Sequence, residues 1–207
     1  MNTSTNTAVK SAMIAAAHAV VSNKDVLTKA DQAIGDGDHG IGMARGFAAF
    51  AEALQSSEEV SVSALFETGG KALMMKAGGA SGAIFGTFFR AAGGVLPEAD
   101  TPSVADMAAA FEEGLNSVQR RGNAKPGDKT MIDALHPATE SLKGSDGSEL
   151  SAALLTAAIA AEGGVEASRD MKATTGKAKS LGDRAVGHPD PGAMTFSIFL
   201  RTFAEAL

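Results

Sequence analysis

Alanine and glycine are segregated along this chain, and that segregation decides its fold class. Alanine-rich stretches place apolar residues at helical spacing, and glycines gather at the breaks between them, where helices stop. The alternation of β-branched residues that a strand needs is nowhere sustained. The spacing predicts eight helical segments, roughly 7–22, 42–54, 62–77, 82–92, 104–121, 131–142, 149–171 and 193–206. Short helices joined by short loops pack antiparallel to their neighbours, so the expected architecture is all-α. No fixed-period repeat occurs. The connections 94–103 and 143–149 are of ordinary length, so 1–207 reads as a single domain.

Composition narrows the function classes. A net charge of -6 argues against non-specific nucleic-acid binding, and without Trp or Tyr base stacking would fall to Phe. Disulfides and thiolate metal sites are excluded, because cysteine is absent. The first seven residues lack the basic start and apolar core of a signal peptide, and no stretch reads as apolar enough to span a bilayer. The expectation is an acidic cytoplasmic protein with a small-molecule or protein partner and no membrane or nucleic-acid role.

The densest chemistry lies in Gly35-Asp36-Gly37-Asp38-His39-Gly40, with Asp31 just upstream. Carboxylates crowded this closely repel one another unless a cation sits between them, and hard oxygen donors select magnesium or calcium. A helix-forming run starts at once with Ile41, Gly42 and Met43, so the loop opens onto a helix N-terminus, where amides hold anions. Metal beside anion suggests a Mg-nucleotide. As a dinucleotide fingerprint the Gly-x-Gly-x-x-Gly match is weak, because no strand precedes it and Asp36 and Asp38 would repel a bare pyrophosphate. As an EF-hand it fails at the sixth and twelfth positions, which are Ile41 and Phe47. An acidic surface turn is the bland alternative. No Walker-type phosphate loop occurs.

Three other stretches invite chemistry. Gly78-Gly79-Ala80-Ser81-Gly82 offers either a nest of backbone N–H groups or a turn capped by Ser81. In the 121–131 loop Asp128 or Thr130 can cap the next helix, and Lys125 and Lys129 can neutralise phosphate or simply face solvent. The 176–193 loop is too long for a mere connector; Lys177, Lys179 and Arg184 are its candidate phosphate contacts. Met74, Met75, Phe85, Phe88 and Phe89 read as core, with a lipid or cofactor cavity as the lesser reading.

Taken together, Asp31 with the Gly35–Gly40 run, Gly78–Gly82, Gly127-Asp128-Lys129-Thr130-Met131 and Gly187-His188-Pro189-Asp190-Pro191-Gly192-Ala193 resemble the nucleotide-binding L subunit of dihydroxyacetone kinase. The resemblance implies a barrel of eight antiparallel helices with the nucleotide at one end. It implies that Asp31, Asp36 and Asp38 coordinate two magnesium ions. His39, Gly40, Ile41, Gly42, Ala80, Ser81, Gly122, Met131, Lys177 and the Asp190-Pro191-Gly192 turn would then contact ADP or ATP. A lipid inside the barrel, beside Phe85, Phe88 and Phe89, is a further implication. One run departs from the family: Gly176-Lys177-Ala178-Lys179-Ser180 stands where Gly-Arg-Ala-Ser-Tyr is usual, so Lys177 offers phosphate a point charge rather than a planar fork.

The same resemblance places the acceptor, dihydroxyacetone or a related short ketose, on a separate K-type subunit, so no catalytic residue is assigned here and the chain alone should not be a substantial kinase. Either ATP exchanges each cycle, or bound ADP is rephosphorylated by a phosphotransferase-system protein. The rivals are a helical lipid- or protein-binding module with a structural cation, and a metal-dependent phosphohydrolase.

Overall fold

The computed structural model describes residues 3–58, 61–98, 101–145 and 147–207. Among them lie nine α-helices and no strand: α1 (Thr3–Ser22), α2 (Lys24–Ile34), α3 (His39–Ser56), α4 (Val62–Lys76), α5 (Gly79–Gly93), α6 (Val104–Gly122), α7 (Ile132–Lys143), α8 (Leu150–Ala167) and α9 (Pro191–Glu205). Two 3-10 segments, Ser168–Asp170 and Lys177–Ala185, lie between α8 and α9. Each of the eight expected segments appears, with α1, α3 and α5 starting three or four residues earlier, and α8 ending four residues earlier, than the spacing suggested. The addition is α2.

Neighbour packing closes a ring. Helices α3 to α9 each pack on the next in chain order, and α1 packs on both α3 and α9. Eight helices thus form the barrel, and α2 stands outside it against α3 and α9. Side-chain caps fix the starts of several staves. Ser61 Oγ accepts from the Ala64 amide at 3.2 Å at the head of α4. Ser103 and Asp106 form a reciprocal capping box on α6.

The barrel interior is filled by phenylalanine. All ten Phe residues are buried. Their rings meet at centroid distances such as 5.0 Å for Phe50–Phe89 and 5.2 Å for Phe88–Phe89, mostly edge to face. Phe85, Phe88 and Phe89 are therefore core, and this packing leaves the expectation of a bound lipid without support.

A stretch of membrane-spanning length and apolarity, not expected from the sequence, does occur. The stretch Leu150–Asp170, mostly α8, is long and apolar enough to cross a bilayer by length and composition, with a mean hydropathy of 1.3. One face of it serves the ring: Ala153, Leu154, Ala157, Ala158 and Ala161 are buried as α8 packs against α7 and α9, while Leu155 and Ile159 are exposed.

Candidate functional site

Helix α2 exists to bring one acid inward. Its polar face is exposed, and its buried residues are Leu27, Asp31 and Ile34 at helical spacing. Gly40 makes that docking possible: a side chain there would collide with the Lys24 carbonyl and Thr28 on α2. Close approach of α2 to α3 lets the 35–38 turn fold back, with Gly37 at φ 79°. Carboxylate oxygens of Asp31, Asp36 and Asp38 then lie within 4.8 Å of one another, Asp31 buried and the other two exposed. Asp31 Oδ2 also accepts the His39 amide at 3.0 Å, which ties the cluster to the first turn of α3.

A second helix start faces the same space. Gly78 and Gly79 take positive φ values of 74° and 63°, so Gly78 occupies the capping position of α5 and Ser81 falls inside its first turn. The first-turn amides of α5, like those of α3, have no acceptor within their own helix. The nest reading of Gly78–Gly82 thus fits better than a turn capped by Ser81. Arg45, six residues into α3, donates to the Lys76 and Ala77 carbonyls at 2.6 Å each and holds the end of α4 beside this turn.

His39 links the two starts. Its Nδ1 lies 3.1 Å from Ser81 Oγ and its Nε2 lies 2.8 Å from Thr195 Oγ1 on α9. Thr195 also donates to the Pro191 carbonyl at 2.9 Å. Both Thr195 contacts are satisfied together when His39 Nε2 carries a proton and donates it to the threonine oxygen.

The third wall is a fold of two loops. Asp133 organises the first, accepting from the Gly127 amide at 2.5 Å and the Thr130 amide at 2.7 Å. Asp128 accepts from the Lys125 amide at 2.8 Å and from Thr174 Oγ1 at 2.5 Å; the threonine bond holds its carboxyl below the usual aspartate range. Thr130 Oγ1 accepts from the Ile132 amide at 3.2 Å, so Thr130 does help start α7. Lys129 is only 2% exposed, so it is not the solvated turn residue that its sequence context offered; it stands at the cavity lining with its ammonium donating to backbone carbonyls. Burial pulls its ammonium below the usual lysine value.

In the second loop Asp190 caps α9, accepting from the Ala193 amide at 2.7 Å, with Pro191 at the first helical position. Burial pushes the Asp190 carboxyl up to about 7, against the pull of the Ala193 bond and Lys129.

These walls enclose a cavity of about 790 Å³. Asp31, Asp38, His39, Ile41 and Gly42 line it on one side, with Ala80 and Ser81 from α5. Gly122, Met131, Asp190, Pro191 and Gly192 line it from the other elements. Gly40 lies behind the lining, against α2. Lys177 is flanked by the lining residues Gly176 and Ala178, and its own side chain lies outside the described set. Sequence reasoning missed Arg45, Thr195 and the apolar floor of Ile34, Met43, Ile84, Val118 and Ile132. Only Ile34 carried a signal, as the end of the Leu27–Asp31–Ile34 stripe.

The site is thus polar at the acids and helix starts and apolar at its floor, a division that matches a molecule with a charged tail and a flat apolar head. The DAK2 domain family model matches residues 33–205 of this chain. The chain is 36% identical over 186 residues to the PEP-dependent dihydroxyacetone kinase 1, ADP-binding subunit DhaL, of Listeria innocua, covering 90% of this chain and 89% of that one. It is 37% identical over 204 residues to the D-erythrulose kinase of Mycolicibacterium smegmatis, covering 96% of this chain and 35% of that one. Its fold matches the crystal structure of the dihydroxyacetone kinase from C. freundii in complex with AMP-PNP and Mg2+ with a TM-score of 0.74 and 29% identity, over 96% of this chain and 34% of that one. The chain accordingly spans nearly all of the separate subunit and about a third of each longer kinase. In sequence and in helical architecture alike, this chain belongs to the DAK2 domain family.

Proposed function

We propose that this chain is the nucleotide-holding subunit of a short-ketose kinase. It grips ADP or ATP through magnesium, and phosphoryl passes to dihydroxyacetone or a related ketose on a separate K-type subunit. The observation that carries the reading is the gathering of Asp31, Asp36 and Asp38 at the mouth of a cavity that two helix starts also face. The donor set fits the cation: three carboxylates are hard oxygen ligands, suited to magnesium. Its volume fits as well, since about 790 Å³ lies within the usual range for small-molecule sites.

Phosphoryl transfer is chiefly positioning and charge neutralisation. Asp31, Asp36 and Asp38 would hold two magnesium ions, whose chemistry is to offset the phosphate charge. The first-turn amides of α3 (Gly40, Ile41) and α5 (Ala80, Ser81) would take phosphate oxygens, with His39 holding the two starts in register and Gly42, whose own amide is bonded to the Asp38 carbonyl, lining the approach. Gly122, Met131, Pro191 and Gly192, over the apolar floor, would receive the nucleoside, and Lys177 would approach from the loop above. Asp190 shapes its turn by capping α9 rather than by meeting solvent.

Because the Listeria relative is a separate subunit described as PEP-dependent, we favour resident ADP rephosphorylated by a phosphotransferase-system protein over free exchange of ATP. The reading carries a cytoplasmic location with it. Calorimetric titration with MgADP, wild type against Asp36→Ala, tests it, followed by phosphorylation of dihydroxyacetone with and without an added K-type subunit. Tight binding lost in the variant, and activity only with the partner, are expected. Equal affinity in the two proteins, or steady phosphate release from ATP by the chain alone, would sink the proposal.

A further inference from the structure

We infer that Lys129 is a positioning residue: it pins the neck of a strap formed by residues 170–187, and so governs how long nucleotide stays in the cavity. This rests on the nucleotide reading above and deepens it. The lysine is 2% exposed and holds φ 60°, a left-handed backbone that a lysine adopts only under constraint from its surroundings. Its ammonium donates to the Ser168 carbonyl at 2.5 Å, the His188 carbonyl at 2.6 Å and the Arg169 carbonyl at 3.4 Å. Ser168 and Arg169 are where the chain leaves α8, and His188 is where it returns toward α9. One side chain from a third segment therefore clasps both ends of the excursion.

Two bonds within the neck run in parallel with the clasp. Gly187 N donates to the Arg169 carbonyl at 2.8 Å, and Asp190 N donates to Ser168 Oγ at 2.9 Å. Beyond the neck the excursion contributes Thr175, Gly176 and Ala178 to the cavity lining. Its 3-10 segment then rests on α2, the helix that carries Asp31. The excursion thus runs from the Lys129 clasp, along the cavity, to the acid-bearing helix. An ammonium at the end of α8 is also well placed, since the last carbonyls of a helix carry partial negative charge. The same lysine sits two residues before Met131, so releasing it loosens the Met131 wall and the Asp190–Gly192 wall together.

A surface lysine would leave nucleotide retention unchanged when removed, whereas a clasp would not. Charge-assisted bonds to two or three carbonyls predict that Lys129→Met releases MgADP about tenfold faster or more, measured by stopped-flow displacement of a fluorescent ADP analogue. Mn2+ binding without nucleotide, read by electron paramagnetic resonance, should stay within about twofold, because the acids lie outside the clasp. Lys129→Ala should regain slow release in added propylammonium, a small cation that refills the carbonyl cage. If Lys129→Met proves too unstable to purify, Ser168→Ala opens one bond of the same neck and should speed release severalfold. Wild-type release rates in the folded variants, or no effect of propylammonium, would overturn the inference. Failure of the wild-type protein to bind MgADP would instead overturn the nucleotide reading itself.

Discussion

Two sets of three aspartates surround this cavity, and they are built on opposite principles. Asp128, Asp133 and Asp190 are all buried, and each is met by donors of the protein: backbone amides, the Thr174 hydroxyl, or the nearby Lys129 charge. They organise loops. Asp31, Asp36 and Asp38 differ in being gathered together, with carboxylate oxygens within 4.8 Å of one another, although Asp31 also accepts the His39 amide. Like charges at that range repel one another, and a bound cation relieves the repulsion. An aspartate surrounded by amides is part of the frame, whereas aspartates that share a corner are suited to hold a cation.

The sharpest way to break this contrast is Asp36→Ala. Loss of a supporting residue around a metal typically costs ~10–100-fold in affinity, so loss of a direct ligand should weaken MgADP binding by more than about 100-fold. The melting temperature should change little, since Asp36 is exposed. A variant that kept its affinity but lost its fold would merge the two sets.

Next comes Asp190, where the frame has its own pH dependence. The folded carboxyl titrates at about 7, above its ordinary 3.8, so the folded state holds this proton more tightly than the unfolded chain does. Its contribution is complete below the unfolded value and is lost as pH rises through 7. Relative to Asp190→Asn, which keeps a cap acceptor, the wild type should therefore lose stability across that window. The slope should reach at most about 1.4 kcal/mol per pH unit, measured by urea denaturation. A flat difference would show that Asp190 stays charged throughout.

A smaller effect is expected from Asp133→Ala. It leaves the Gly127 and Thr130 amides without their acceptor and should cost about 2–3 kcal/mol in urea denaturation, with Mn2+ binding intact. The smallest is Ser103→Ala, which opens the capping box of α6 away from the cavity. It should cost about 1 kcal/mol and leave nucleotide affinity untouched.

Much of the acid cluster was legible in the sequence, because all its ligands fall within eight consecutive positions and a turn brings them together. Helical staves were legible for the same reason: spacing and glycine breaks are local. Helix α2 was not, since Lys24, Asp25, Thr28, Lys29 and Gln32 hide a buried face of only three residues, one of them an acid. Lys129 was misread because lysine in a Pro-Gly-Asp turn is ordinarily solvated. Its burial depends on carbonyls 39 and 59 positions away. Thr195 gave no signal at all, as it meets His39 across 156 positions.

Sequence by itself determined the all-α class, the helix stops, and a cation-ready loop opening onto a helix start. Those follow from forces that act over a few residues: backbone sterics, capping and charge repulsion. Tertiary structure alone decided that α1 closes the ring against α9, that α2 presses Asp31 toward Asp36 and Asp38, and that one lysine clasps a distant loop. Each of these is a contact between segments far apart in the chain, and only the packing of the whole barrel fixes which of them meet.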